Sequence, residues 1–199
     1  MPGSSTVEGE TLLADMALAW DDLPAAMKQR LEGLEYKATL RRSPVEQSRP
    51  GAFWKTARPA TEQEAPGRTE AEGDDGAAIA ALYPSVVHPA MLTHPDTGRK
   101  CLFLSPTYVD CFLGMSQAES DELLRELVEH MLNPRYVYRH SWSVNDAVLW
   151  DNRRFMHAAQ GNRLGEARFG LRTTLAGPIR TGRYFDEDAA GQAERQLAD

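Results

Sequence analysis

One histidine and two arginines near the C-terminus have the side chains best suited to binding a metal and anions. His157 lies in the apolar run FMHAA, and Arg168 and Arg172 follow in the run RFGLRTTL. On a strand, the two arginines would share one face, roughly 13 Å apart at about 3.3 Å per residue. A guanidinium group binds a carboxylate or sulfonate through two parallel hydrogen bonds. These residues therefore indicate a pocket for a metal and two anionic groups.

A second interpretation of the same residues involves no ligand. A lone histidine between Met156 and Ala158 is more often a hydrogen-bonded core residue than a metal ligand. Both arginines could also lie on the solvated face of their strand, with Phe169 and Leu171 pointing inward. Periodicity does not choose between the two faces, so spacing alone leaves both interpretations open.

Composition excludes several classes of protein. The chain has 199 residues, enough for one domain with a core, and its net charge of −7 argues against a general nucleic-acid binder. No apolar run is long enough to span a membrane, and the first residues do not resemble a signal peptide. Cys101 and Cys111 are expected to be reduced, mostly buried thiols of a cytoplasmic protein, although a disulfide is possible. No paired Cys/His spacing suggests zinc.

Helices are predicted mainly in the first two thirds of the chain. Residues 11–23 are expected to be helical, and Pro24 opens a second helix that ends near Gly33. The clearest helix starts at the capping box of Ser116 and Glu119. It carries one apolar face and stops at Asn133-Pro134.

Strands and turns dominate the remaining segments. An alternating strand is predicted at 35–40 and a hairpin at 83–106, turning at PDTG; the later strands are predicted at 136–142, 147–150, 155–159 and 168–175. This pattern indicates an α+β fold with a β-sandwich or jelly-roll core. Residues 58–79, rich in Pro, Gly, Glu and Ala, are predicted to be a flexible insertion. A variable surface loop is favoured there over an active-site lid.

Six segments in a fixed order resemble one known family. WDNRRFMH ends at His157, is followed by Arg168 and Arg172, and leads to RTTLAG. GETLLADM, LPAAMKQRLEGL, HPAMLTHPDTGRKCLF, SQAESDELLRELVEH and YVYRHSWSVNDAVLWDN precede or overlap it. Together they resemble the TauD/TfdA family of Fe(II)- and 2-oxoglutarate-dependent dioxygenases, which includes taurine dioxygenase. The resemblance covers about residues 7–180 and departs over 41–80.

The resemblance implies a fold and a set of roles. The fold is a partial double-stranded β-helix (a jelly-roll, cupin-like core) with flanking helices. His157 corresponds to an iron ligand, Thr11 and Arg168 to residues that bind 2-oxoglutarate, and Arg172 to the residue that binds the substrate. The implied reaction uses Fe(II), 2-oxoglutarate and O2 to hydroxylate a small anionic substrate (a sulfonate, sulfate ester or carboxylate), and it releases succinate and CO2.

One part of the family pattern is missing from the sequence. Two further iron ligands of the facial triad come from an HxD motif expected before GETLL, a position that would precede Met1. Only His94-Pro95-Asp96 spells HxD, and it lies in a predicted turn, so we do not expect it to bind iron. His130 and His140 are expected to pack or hydrogen-bond rather than to ligate.

The chain is therefore expected to be a single TauD/TfdA-like domain, residues 1–199, that lacks its N-terminal part. Two functions stay open from sequence alone. The first is a dioxygenase whose missing ligands come from elsewhere. The second is a catalytically inactive remnant that at most binds 2-oxoglutarate or another anion, or acts as an interaction protein.

Overall fold

A computed structural model describes residues 9–40, 83–160, 170–175, 177 and 179–188. The segments predicted as an insertion (58–79) and as the first positions of the last strand (168 and 169) lie outside these residues. The described elements, in chain order, are β1 (Thr11–Asp15), α1 (Met16–Asp21), α2 (Ala25–Leu31), β2 (Glu35–Ala38), β3 (Val86–Pro89), β4 (Met91–Thr93), β5 (Lys100–Leu102), β6 (Val109–Phe112), α3 (Gln117–Met131), a 3-10 turn (Pro134–Tyr136), β7 (Val137–His140), β8 (Phe155–Ala159) and β9 (Arg183–Tyr184).

The described strands form three antiparallel sheets. Sheet I has the order β7-β1-β8, sheet II has the order β6-β2-β3-β9, and β4 pairs with β5 in a hairpin. The helices and antiparallel sheets confirm the α+β class. In the described ranges, no helix is both long and apolar enough to cross a membrane.

Sheet I has one face on the hydrophobic core and one face that carries polar side chains. Ala14 of β1 is buried in the core, and its partners Val137 on β7 and Met156 on β8 pack against that core. Strand residues alternate between faces, so Thr11 and Leu13 point to the opposite side. Their neighbours on that side include His157, which lies directly across from Leu13.

The first predicted helix is partly wrong. Residues 11–15 form β1, the central strand of sheet I, and the helix begins only at Met16. Asp15 ends the strand and caps the helix, since its Oδ1 accepts hydrogen bonds from the backbone N–H groups of Ala17 and Leu18 at 3.0 and 3.2 Å. A central strand that is buried on most positions reads as a continuous apolar run, which periodicity does not distinguish from a buried helix.

Several other predictions are confirmed. Ser116 and Glu119 form the predicted capping box of α3. Gly33 follows α2 with a φ of 74°, the left-handed conformation that glycine adopts at low cost after a helix. The PDTG turn joins β4 to β5. Cys101 and Cys111 are both free thiols, the first buried and the second half-buried.

Two predicted strands are absent from the described part of the chain. Residues 147–150 and 170–175 adopt no strand conformation. Leu149 is 89% exposed, so 147–150 is not the buried run that its apolar residues suggested, and Leu171 of the segment predicted to alternate is 90% exposed. A strand persists only where a neighbouring strand satisfies its backbone groups, and none of the described residues pairs with these two segments.

Candidate functional site

Sheet I brings together Thr11 and His157, which are far apart in the sequence. Thr11 lies across from Ala159 on β8, and Leu13 lies across from His157. Thr11 and His157 are therefore diagonal neighbours on one face of adjacent strands, at a separation of roughly 7–8 Å. Thr11 is buried in the central strand, whereas His157 is exposed on β8.

An indole ring connects His157 with Arg172. The ring centres of Trp150 and His157 are 5.1 Å apart. The guanidinium carbon of Arg172 lies 6.0 Å from the centre of the Trp150 ring, at the outer limit of a cation–π contact. Trp150 is itself oriented by a 2.9 Å hydrogen bond from its Nε1 to Oδ1 of Asn152. The predicted metal ligand and the predicted substrate arginine thus lie on the same tryptophan.

The surroundings of His157 favour its neutral form. Partial burial, and then the positive charge of Arg172, hold the pKa of the His157 imidazole below its ordinary value. A neutral imidazole keeps the lone pair that a metal ligand must offer. These surroundings therefore favour the form of His157 that can bind a metal.

The predicted pair of arginines is only half described. Arg172 is exposed and lies in a segment, 170–175, that is not a strand. The prediction that Arg168 and Arg172 share one face depends on a strand there, so the described residues do not support it. Arg168 lies outside the described residues. Of the two arginines, the structure therefore describes only Arg172, which lies beside Trp150.

An open cavity of about 800 Å³ reaches His157. It is lined by residues of β2, β3 and β8, mostly apolar, with Arg153 and Arg154 among its polar lining. Ligand cavities of this size and character commonly hold small molecules. The lining of this cavity includes His157 but not Thr11, Trp150 or Arg172, so the cavity reaches the histidine from the side of the core residues.

His94 of the HPD sequence is occupied by structural contacts. Its Nε2 lies 2.9 Å from Oδ2 of Asp151, and its Nδ1 accepts a 3.2 Å hydrogen bond from the backbone N–H of Asp96. Arg153 pairs with Asp151 and also with Asp96, whose side chain is largely exposed. Both nitrogens of the His94 ring are in use, so the motif ties the hairpin turn to the segment before β8.

We expect Asp96→Ala to leave metal binding unchanged. The substitution removes one exposed ion pair to Arg153 and no ligand, so its cost in unfolding free energy should be at most about 1 kcal/mol. Titration with Mn(II), followed by loss of the free-ion electron paramagnetic resonance signal, measures the affinity. His94→Ala should instead destabilise the fold by about 1–3 kcal/mol, because it leaves Asp151 short of a partner. A lower metal affinity in Asp96→Ala would make the HPD sequence a ligand site.

His130 and His140 form contacts that agree with the sequence predictions. His130 donates from Nε2 to the carbonyl oxygen of Ala19 at 2.7 Å. His140 lies 3.2 Å from the hydroxyl of Tyr138 and meets the Trp142 ring edge-on at 4.5 Å. His140 also lies directly across from Thr11 on β7 and so borders the site.

Sequence reasoning missed two tryptophans of this site. Trp150 lies against His157, and Trp142 donates a 2.9 Å hydrogen bond from Nε1 to Oγ1 of Thr11. The signal for Trp150 was its place in the WDNRRFMH motif. No local signal linked Trp142 to Thr11, because the two lie on segments that only the sheet pairing brings together.

The described residues do not furnish a complete iron site. Within them, no three His, Cys, Asp or Glu side chains come together closely enough to hold a metal ion. His157 fits the role of one imidazole ligand, and a facial triad needs a second histidine and a carboxylate. The chemistry of a bound metal therefore does not follow from these residues alone.

The chain is similar to known dioxygenases. It is 33% identical over 173 residues to the (S)-phenoxypropionate/alpha-ketoglutarate-dioxygenase of Sphingobium herbicidovorans, covering 86% of this chain and 54% of that protein. It is 36% identical over 151 residues to the alpha-ketoglutarate-dependent 2,4-dichlorophenoxyacetate dioxygenase of a Burkholderia species, covering 75% of this chain and 42% of that protein. The chain spans about half the length of these curated relatives.

A solved structure and a family model give the same assignment. The crystal structure of AAD-2 in complex with Mn(II) and N-oxalylglycine matches with a TM-score of 0.67 and 28% identity, over 88% of this chain and 60% of that one. The model of the family described as taurine catabolism dioxygenase TauD, TfdA family, matches residues 3–174, a range that includes β1, β8 and all four predicted site residues. This chain belongs to the TauD/TfdA family of dioxygenases.

Proposed function

We propose that this chain acts in an Fe(II)- and 2-oxoglutarate-dependent dioxygenase that oxidises a small anionic molecule and releases succinate and CO2. The observation that carries the proposal is the diagonal placement of Thr11 and His157 on one face of sheet I. These cofactors are those of the family to which the chain belongs. The Mn(II) and N-oxalylglycine bound in the AAD-2 structure also support them.

The separation of Thr11 and His157 suits a five-carbon dicarboxylate. Extended 2-oxoglutarate places its carboxyl carbons about 5 Å apart, for C–C bonds of about 1.5 Å. A ligand of this length, held near His157 at one end, brings its other carboxylate within reach of a donor roughly 7–8 Å away. We assign Thr11 to that carboxylate and His157 to the metal, with Arg168 as the cation that pairs with the same carboxylate.

Arg172 is the proposed binding group for the substrate. It is the cation that Trp150 places next to His157, and its guanidinium can bind a carboxylate, sulfonate or sulfate ester in bidentate fashion. The relatives that act on phenoxypropionate and 2,4-dichlorophenoxyacetate favour an aromatic carboxylate as the first substrate to try.

We also propose the finer features of the architecture. Sheets I and II are assigned to a partial double-stranded β-helix, or jelly-roll, and residues 1–199 to one domain. The two free thiols support a cytoplasmic location, where cysteines stay reduced.

The experiment combines this chain with Fe(II), 2-oxoglutarate, ascorbate and a phenoxyalkanoate, and it follows succinate release and O2 uptake. We expect both signals to depend on Fe(II) and on 2-oxoglutarate. Omission of each component in turn is the control. A chain that neither releases succinate nor binds 2-oxoglutarate would contradict the proposal and favour the inactive remnant. Binding without turnover would support a 2-oxoglutarate-binding protein instead of an enzyme.

A further inference from the structure

We propose that Trp142 is a positioning residue that holds the Thr11 hydroxyl as a hydrogen-bond donor to the carboxylate of a ligand on sheet I. The inference rests on the proposed function, because it assigns Thr11 to the remote carboxylate of 2-oxoglutarate. The inference adds Trp142 as the residue that orients the hydroxyl proton of Thr11. The observation behind it is the 2.9 Å contact between Nε1 of Trp142 and Oγ1 of Thr11.

The chemistry of the two groups fixes the direction of this hydrogen bond. An indole Nε1–H is a donor only, whereas a threonine hydroxyl has one proton and two lone pairs. Thr11 must therefore accept from Trp142, and its own proton remains for another acceptor. No acceptor for that proton is recorded among residues 9–40, 83–160, 170–175, 177 and 179–188. A carboxylate supplies the missing acceptor and strengthens the bond through its charge.

Trp142 is held in place independently of any ligand. Buried Glu10, the residue before Thr11, contacts Ser141 at 3.0 Å and Arg139 at 3.4 Å. The Trp142 ring also meets the ring of His140 edge-on. These contacts fix the segment 139–142 against the start of β1, so the indole N–H is aimed before a ligand arrives. Preorganisation of this kind lowers the cost of binding.

The arrangement also leaves one side of Thr11 for the ligand. On β7 its partner is His140. On β8 its partner is Ala159, whose side chain is a single methyl group. His157 lies on the same face two residues before Ala159. The approach from Thr11 towards the proposed metal ligand therefore passes over a methyl group, while Trp142 and His140 occupy the other side.

The test compares the affinity for 2-oxoglutarate and N-oxalylglycine in four proteins by calorimetry with Mn(II) present. The proteins are wild type, Trp142→Phe, Thr11→Val and the double variant. Trp142→Phe keeps an aromatic ring beside His140 and deletes the N–H donor. We expect it to weaken binding about 2- to 12-fold, the effect of losing the one neutral hydrogen bond that orients the Thr11 hydroxyl. In the Thr11→Val background the same substitution should cause no further loss.

A matched control separates affinity from stability. Ser141→Ala removes a hydrogen bond to Glu10 in the same segment and leaves the Trp142–Thr11 contact in place. We expect it to lower the melting temperature while the dissociation constant stays within about twofold of wild type. A purely structural role for Trp142 would instead make both substitutions act on the melting temperature alone.

Different outcomes overturn different statements. If wild type binds 2-oxoglutarate and Trp142→Phe binds it equally well, or loses the same factor in the Thr11→Val background, the inference is wrong and the proposed function stands. If wild type does not bind, both are wrong. Should Trp142→Phe fail to fold, the indole N–H resonance of Trp142 decides: it must shift in Thr11→Val, and an unmoved resonance overturns the inference.

Discussion

Replacing His157 by alanine is expected to lower Fe(II)-dependent succinate release by at least about 100-fold. The loss of a residue that only hydrogen-bonds to a metal ligand already costs about 10–100-fold in metal affinity, and loss of the ligand itself should cost no less. His157 has no role in the core, because its side chain is exposed on β8. The unfolding free energy should therefore change by less than about 0.5 kcal/mol. Initial rates at saturating 2-oxoglutarate and titrated Fe(II) measure the effect.

His130→Ala is the matched control for the histidine substitution. It removes an imidazole from α3 that bonds to the carbonyl of Ala19, away from sheet I. We expect it to lower stability and to leave the Fe(II) dependence of the rate intact. Equal turnover in wild type and His157→Ala would show that this histidine is not a metal ligand, and the proposed function would then lose its central residue.

Asp15→Ala is expected to lower the unfolding free energy by about 2–4 kcal/mol. Asp15 accepts two backbone N–H groups at the start of α1 and forms two hydrogen bonds with Arg154, at 3.1 and 2.5 Å. The substitution therefore removes a helix cap and leaves Arg154, which is one-third exposed, without its partner. Urea unfolding followed by circular dichroism measures the change.

Asp21→Ala is the control for this change. Asp21 pairs with Arg99 at 2.6 Å, but both side chains are well exposed to solvent. Exposed pairs contribute at most about 1 kcal/mol, so Asp21→Ala should cost much less than Asp15→Ala. Equal losses of unfolding free energy in the two variants would show that the Asp15 carboxylate does not stabilise the contact of β1 with the start of α1 and with Arg154.

The Asp15 carboxylate should also make stability depend on pH. Burial raises its pKa, but the hydrogen bonds from Arg154, Leu18 and Ala17 and the charge of Arg154 together hold it below its ordinary value. A carboxyl whose pKa is depressed in the folded state stabilises it above the ordinary value near 3.9 and loses that effect as the pH falls through the lowered pKa. Wild type should therefore lose stability below about pH 4, and Asp15→Asn should lose less over the same range.

Local signals in the sequence predicted the helices whose first or last residues are typical capping residues. The capping box at Ser116 fixed the start of α3, and Gly33 marked the end of α2. The pattern over 11–15 predicts a helix where the structure has β1, because a strand that pairs on both sides is apolar at most positions. Aspartate is a residue type that caps helices, but Asp15 lies inside an apolar run, so periodicity predicts one continuous helix through it.

The site was predicted only in part, because its geometry depends on pairing between distant segments. The motif around His157 pointed to the proposed metal ligand, and GETLL pointed to Thr11. Their diagonal relation follows from the register of β1 with β8, which no local pattern encodes. The Trp142 contact depends in the same way on the register of β1 with β7. Residues 147–150 show the opposite failure, since an apolar run forms a strand only where a neighbouring strand is available.

The anchoring of β8 at its two ends bears on how rigidly His157 is held. At the start of the strand, Arg154 is bound to Asp15 through its side chain and to the N–H of Met16 through its carbonyl. At the other end, the N–H of Gln160 donates to the carbonyl of Glu10. Among the described residues β8 has a single neighbouring strand, β1, so fraying would otherwise begin at either end. With both ends fastened, exchange of the amide hydrogens of Met156 and Ala158, which lie across from Ala14 and Leu12 in hydrogen-bonded pairs, should require opening of the whole strand, so the His157 side chain between them is carried on a fixed backbone.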